Sequence, residues 1–328
     1  SVALGEGELV GEDDAAAGVG VFRGIRYAEA PVGPLRWRPP VPVARWRGER
    51  EARIFGADCP QSAQKPTRAP AQDEDCLFLN IWTPLEPATR PRPVMVWLHG
   101  GSFVGGSGAD ARTDGAALAR RGVVVVSLNY RVGLFGFLAH PGLRAESAEG
   151  SCGNYGLLDQ LCALRWVRDH IGAFGGDASN VTLFGVSAGS ASTSLLLTSP
   201  LARGLFHKAI LQSPGAARPL ASLQEAERAG AQLGEDITAL RALDAQAVLA
   251  KTALLVPKAR GLTTPRVLRP IRDGWVLPED ERPAFLAGRF HAMPLLVGSN
   301  TDEGSSLTAS WPLRTVAGYE AVVRQDFH

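Results

Sequence analysis

The sequence has 328 residues, 45% of them hydrophobic and 20% charged, which is enough for one large α/β domain or two smaller ones. Thirty-four Lys and Arg against 33 Asp and Glu leave a net charge of +1, which excludes the global basic footprint of a nucleic-acid or anionic-membrane binder. No apolar run reaches the roughly 18 residues of a transmembrane helix, and no charged segment followed by an apolar run is visible at Ser1, where the expectation is a removed leader or a trimmed chain.

In chain order, the first 50 residues carry many Gly, Pro and Trp, with alternation around Val19–Tyr27. They read as a twisted antiparallel edge with a meandering cover. Strands are predicted at Val94–Leu98, Val123–Leu128, Val181–Phe184, Ala209–Leu211 and Leu295–Val297. Their nearly continuous Val and Leu runs predict burial on both faces, as in a parallel sheet. Helices are predicted at Gly115–Arg121, Tyr155–Ile171, Ala188–Leu197 and Leu220–Leu233. Strands alternating with helices mark the α/β class. The basic, Pro-interrupted stretch Lys258–Arg272 reads as a surface excursion. The sequon at Asn180 runs into a predicted core strand and reads as structural.

Four cysteines, Cys59, Cys76, Cys152 and Cys162, allow three full pairings. Cys59 and Cys76 flank a polar, Pro-containing loop with little hydrophobic content. A disulfide there would restrict the unfolded chain by about 3 kcal/mol, which makes it the favoured pair and leaves the others open. Cys162 falls in an apolar helical pattern and reads as a core thiol. Cys152 falls in a Gly/Ser loop and reads as exposed. A disulfide favours an oxidising compartment, secreted or periplasmic.

Three segments carry chemistry. Gly185-Val186-Ser187-Ala188-Gly189 is a G-x-S-x-G pentapeptide between a predicted strand and a predicted helix. That context places a serine on a sharp strained turn, with the free N–H groups of a helix start behind it. His99-Gly100-Gly101-Ser102-Phe103 follows the strand Val94–Leu98, where esterases place a loop whose N–H groups hold an oxyanion. The expected donors are the N–H groups of Gly101, Ser102 and Ala188. Asn300-Thr301-Asp302-Glu303-Gly304 follows the last predicted strand and offers a carboxylate to orient an imidazole, with Glu303 the choice and Asp302 the alternative.

A serine nucleophile needs a base. An α/β-hydrolase orders its triad Ser, acid, His. Of six histidines, five precede Glu303, namely His99, His140, His170, His207 and His291, and the sixth is the terminal His328. The base is therefore expected outside these residues. No metal-ligand spacing, CxxC, HExxH or nucleotide fingerprint occurs, so no metal or cofactor is expected.

These residues together resemble the type-B carboxylesterase/cholinesterase family. Phe22-Arg23-Gly24-Ile25-Arg26-Tyr27-Ala28, Pro34-Leu35-Arg36-Trp37, Glu74 to Trp82, Asn129-Tyr130-Arg131 and Gly153 to Gln160 are similar to its motifs, and the likeness runs nearly the whole length. The resemblance implies an α/β-hydrolase fold. In it Ser187 and Glu303 are triad members, Gly101, Ser102 and Ala188 form the oxyanion hole, and Cys59–Cys76 is a disulfide. It also implies the ion pairs Arg36–Glu74 and Arg131–Asp159. It places the triad histidine in a C-terminal segment beyond residue 328. The expected organisation is thus a single catalytic domain, 1–328, truncated before that segment, with the protein's own C-terminal fragment as a partner. Val186 stands where the family usually has Glu, and Ser102 replaces a commoner third glycine. The Cys59–Cys76 loop lacks the aromatic that contacts choline in cholinesterases, which argues against a choline ester.

Gln212 to Leu220 and the stretch to Asp273-Gly274 look similar to bacterial fumonisin esterases, which remove tricarballylate side chains from a mycotoxin. Arg218, Lys258, Arg260 and Arg266 are candidate partners for such carboxylates, weighed against plain solvated surface. The expected function is serine-dependent hydrolysis of a small-molecule carboxylic ester through an acyl-enzyme. The alternatives are a non-catalytic binding or adhesion protein on the same scaffold, and an amidase or carbamate hydrolase. The intact Ser187 turn argues against the first, and only substrate profiling separates the second.

Overall fold

Val124–Leu128 contains three consecutive valines, and every residue in it is buried. A short strand buried on both faces belongs inside a parallel sheet covered by helices. The computed structural model describes residues 1–62, 66–214, 219–256, 266–307 and 315–327. Among these, eight strands form one sheet. They are β1 (Glu12–Asp14), β2 (Val19–Arg26), β3 (Phe78–Pro84), β4 (Arg92–Leu98), β5 (Val124–Leu128), β6 (Gly176–Val186), β7 (Lys208–Gln212) and β8 (Leu295–Gly298). Their spatial order is β8-β7-β6-β4-β5-β3-β2-β1. Strands β4 to β8 pair in parallel, and β3, β2 and β1 add an antiparallel edge. A second, three-stranded sheet joins Val2–Ala3, Glu8–Val10 and Glu49–Glu51.

The long helix α1 (Tyr155–His170) is buried along most of its length, with Leu157, Leu161, Leu164 and Val167 in the core. Helix α2 (Ala188–Thr198) starts at the Ser187 turn and packs on β6 and β7. Helix α3 (Leu223–Gly230) begins at Ser222, whose hydroxyl accepts from the Glu225 N–H while Glu225 accepts from the Ser222 N–H. This reciprocal cap satisfies two donors that a helix start would leave open. It starts the helix three residues later than the composition of Leu220–Leu233 predicts, and the last turn tightens into a 3₁₀ helix.

Two expectations about burial are corrected. Cys152 is buried, at 4% exposure, because its loop is folded under the Asp273 segment: its neighbour Ser151 donates to Asp273 Oδ2 at 2.7 Å. It and Cys162 are free thiols, and burial pushes both up to about 12. Strand β8 is not buried on both faces, since Leu295, Leu296 and Val297 are 48%, 64% and 55% exposed. It is the outermost strand of the sheet, paired on one side with β7.

Both ion pairs form. Arg36 Nε donates to Glu74 Oε2 at 2.7 Å. Arg131 donates to Asp159 through its backbone N–H at 3.0 Å, Nε at 2.8 Å and Nη2 at 2.7 Å. Asp159 sits on α1 with no exposed surface, so this pair bolts the segment after β5 to the helix covering the sheet. Removing one partner of a buried pair leaves an uncompensated charge, at a cost of about 3–5 kcal/mol. Arg131→Met is expected to lower the unfolding free energy by that amount, read from denaturant midpoints, and Arg131→Met/Asp159→Leu is expected to recover most of it. A single variant within about 1 kcal/mol of the parent would contradict this account.

Candidate active site

The expected residues converge at the carboxyl ends of β4, β6, β7 and β8, where open parallel sheets place their sites. Strand β6 delivers Ser187 to the first position outside the sheet. Its backbone is held at φ 53°, ψ −116°, a conformation costly for a residue with a Cβ, and its side chain is exposed. Its N–H donates to Gln212 O at 2.9 Å, and its carbonyl accepts from the Ala191 N–H at 2.8 Å, which ties the turn to β7 and to α2. The turn closes only because position 189 has no side chain, since a Cβ on Gly189 would lie 2.0 Å from Leu98 O. Ala188 is the first residue of α2, so its N–H is one of the free donors of a helix start.

The loop after β4 lies directly against this turn. A Cβ on Gly100 would stand 2.8 Å from Val186 O and 3.4 Å from the Ser187 Cβ. Gly101 and Ser102 are exposed beside it. Ser102 and Phe103 both adopt positive φ, at 57° and 65°. Phe103 is anchored by burial, by an edge-on contact with Phe137 at 5.4 Å, and by its carbonyl, which accepts from the Gly133 N–H at 2.7 Å. His99 is a pillar of this loop. Its ring stacks on Tyr130 at 4.2 Å, its carbonyl accepts from the Tyr130 hydroxyl at 2.7 Å, and burial holds its pKa down at about 4. A neutral, stacked imidazole in that setting is built for support.

Glu303 starts the short helix Glu303–Leu307 after β8. Its carboxylate accepts from the Ser213 hydroxyl, and from the backbone N–H and side-chain amide of Asn300, each at 2.9 Å. The Ser213 hydroxyl first, and Asn300 second, hold its pKa below the ordinary carboxylate value. Asp302 is exposed, and its described contact is through its backbone carbonyl, which accepts from the Ser305 hydroxyl at 3.0 Å. Of the two acidic residues, Glu303 is the one whose carboxylate is tied to the end of β7 through Ser213.

Ser213 escaped the sequence reading. It stands just past β7 with φ 52°, between the Ser187 turn and Glu303, and its N–H donates to Gly298 O at 2.7 Å. The only sequence signal was a polar residue and a proline directly after a strand. The chain Ser187–Gln212–Ser213–Glu303 is thus linked across three strand ends.

The other described histidines are engaged elsewhere. His140 Nδ1 caps the helix Pro141–Ala145, His170 approaches Glu6 at 3.4 Å, His207 Nδ1 accepts from the Val181 N–H at 3.2 Å, and His291 Nε2 is 2.7 Å from Ser199 O. His328 lies outside the described residues, as do Arg218, Lys258 and Arg260. Arg266 is partly buried. Arg269, not singled out from the sequence, places its guanidinium 5.4 Å from the centre of the Phe103 ring. Cys59–Cys76 is a disulfide, as expected, and its loop packs on the segment behind the Gly100 turn. Asn180 lies inside β6, which begins earlier than the predicted strand Val181–Phe184, and its side-chain carbonyl accepts from Lys208 Nζ.

A mostly parallel sheet with a serine on a strained strand–turn–helix elbow at its centre defines the α/β-hydrolase fold. The chain belongs to the carboxylesterase family, whose profile matches residues 1–325. It is 50% identical over 311 residues to fumonisin B1 esterase from Sphingopyxis macrogoltabida, covering 94% of this chain and 58% of that protein. It is 40% identical to the para-nitrobenzyl esterase of Bacillus subtilis, covering 88% of this chain and 60% of the relative. A crystal structure of a carboxylesterase from Geobacillus stearothermophilus superposes with a TM-score of 0.86 at 38% identity, covering 99% of this chain and 67% of that one. The chain therefore spans about three fifths of the length of the two curated relatives.

Proposed function

We propose that this chain supplies the nucleophile, the acid and the oxyanion hole of a serine carboxylic-ester hydrolase. The observation that carries the reading is the exposed Ser187, held at φ 53° and ψ −116° with Gly100 packed against it. Ser187 Oγ attacks the ester carbonyl while an imidazole takes its proton. The N–H groups of Gly101, Ser102 and Ala188 hold the oxygen that becomes negative, and losing one such donor typically costs about 3–4 kcal/mol of transition-state stabilisation. The alcohol leaves with the proton from the imidazole. Water, activated by the same base, then releases the acid and restores Ser187. Glu303 orients the imidazole and stabilises its cation.

The imidazole belongs to chain beyond residue 328, in the same polypeptide or as a separate piece. Three observations support this: the greater length of the relatives, the engagement of the five described histidines, and the exposed apolar β8 beside Glu303. For the substrate we propose a fumonisin-type ester bearing extra carboxylates. The 50% identity to fumonisin B1 esterase supports that choice.

The test is acid-quenched intact mass spectrometry of the full-length protein during turnover of such an ester. A species heavier by one acyl group is the expected result. Release of alcohol at no more than the uncatalysed rate would overturn the reading.

A further inference from the structure

Any oxyanion hole of this kind is only as good as the loop that aims it. Residues 99 to 106 leave β4, turn at Gly101 and come back, and the turn is fastened by its own return leg: the Val104 and Gly105 N–H groups donate to Gly101 O at 3.0 and 3.1 Å. What fastens the return leg lies outside the loop. Gln61, two residues past Cys59, is 8% exposed and directs its carboxamide at Gly106. Its Oε1 accepts from the Gly106 N–H at 2.8 Å, and its Nε2 donates to Gly106 O at 3.0 Å and to Cys59 O at 3.0 Å. One amide thus grips both polar groups of Gly106 and ties them to the disulfide. The loop is shaped for that grip, since a Cβ at Gly105 would lie 2.7 Å from Gln61 Oε1. The next residue is tied into the same region, because the Ser107 hydroxyl donates to Asp58.

We propose that Gln61 is a positioning residue for ester hydrolysis: its amide fixes the return leg of the oxyanion loop and thereby the aim of the Gly101 and Ser102 N–H groups. The inference rests on the reading of those two N–H groups as oxyanion donors. Gln61 itself touches no reacting atom. It acts on a group that matters more in the transition state than in the ground state, so its loss falls on kcat and spares substrate binding.

The test uses the full-length protein with Q61L, which keeps the bulk and removes both polar groups, and Q61E, which keeps an acceptor and loses the donor. Active sites are titrated with a fluorophosphonate so that kcat counts only competent molecules. The expected result for Q61L is a fall in kcat of about 10–100-fold, KM within about twofold, and a trifluoromethyl ketone inhibition constant raised by the same factor as kcat/KM falls. Q61E is expected to lie between the parent and Q61L, and it decides alone if Q61L does not fold. Unchanged kcat in the folded variant, or a raised KM with kcat held, would overturn the proposal. A Ser187→Ala control that still turns over ester would instead overturn the serine reading itself, whatever the Gln61 variants do.

Discussion

Ser187→Ala is expected to lower kcat of the full-length protein by roughly 10⁶-fold while leaving KM and thermal stability near those of the parent. The size follows from what is lost: without Oγ no acyl-enzyme forms, and the imidazole has no nucleophile to activate. What remains is the oxyanion loop and substrate binding, which alone retain a modest acceleration over water. Stability should hold because alanine also carries a Cβ, so the cost of the φ 53° conformation is unchanged. Titration of ester hydrolysis with purified variant checks it. A fall of less than about 100-fold would mean that another group carries the chemistry.

Glu303→Gln is expected to cost about 10⁴ in kcat, because an amide can hold an imidazole in the wrong tautomer and cannot offset the positive charge it acquires. The hydrogen bonds to Glu303 give this prediction a pH signature. Donation from Ser213, then from Asn300, lowers the folded pKa of the carboxyl. A depressed pKa means that the charge is present above the unfolded value and is lost only as pH falls through the folded one. The acid limb of the parent's rate profile should therefore report the imidazole and not Glu303. Kinetics from pH 4 to 9 check both parts. A variant that keeps more than a tenth of the parent's kcat would move the acid's role elsewhere.

The fold class was legible from strands alternating with helices, and the segments that the structure brings together at the sheet's carboxyl ends were singled out for physical reasons. Ser187 and the Gly100 loop were readable because each requires a strand end and glycines at fixed offsets, and backbone strain of that kind tolerates few other residues. Glu303 was singled out by order, as an acidic residue past the last predicted strand, and its carboxylate is the one that Ser213 and Asn300 hold. Ser213 and Gln61 were not, since a single polar residue acquires its role from partners 90 and 45 positions away. Strand β6 was predicted to start five residues late because Gly176 to Asn180 are polar or small and show no apolar run. β3 was passed over because Asn80 and Thr83 interrupt its hydrophobic pattern, although Asn80 is buried and donates to Ser127 Oγ at 3.0 Å. Exposure of β8 was illegible because Leu295–Val297 carries the pattern of a covered strand whatever lies over it.

The measurement closest to the central claim is peptide mapping of the full-length protein after reaction with a serine-directed fluorophosphonate. The account predicts one label per chain, on the peptide containing Ser187, with hydrolysis lost in proportion to labelling. A label on a different serine, or undiminished ester hydrolysis at full labelling of Ser187, would contradict it.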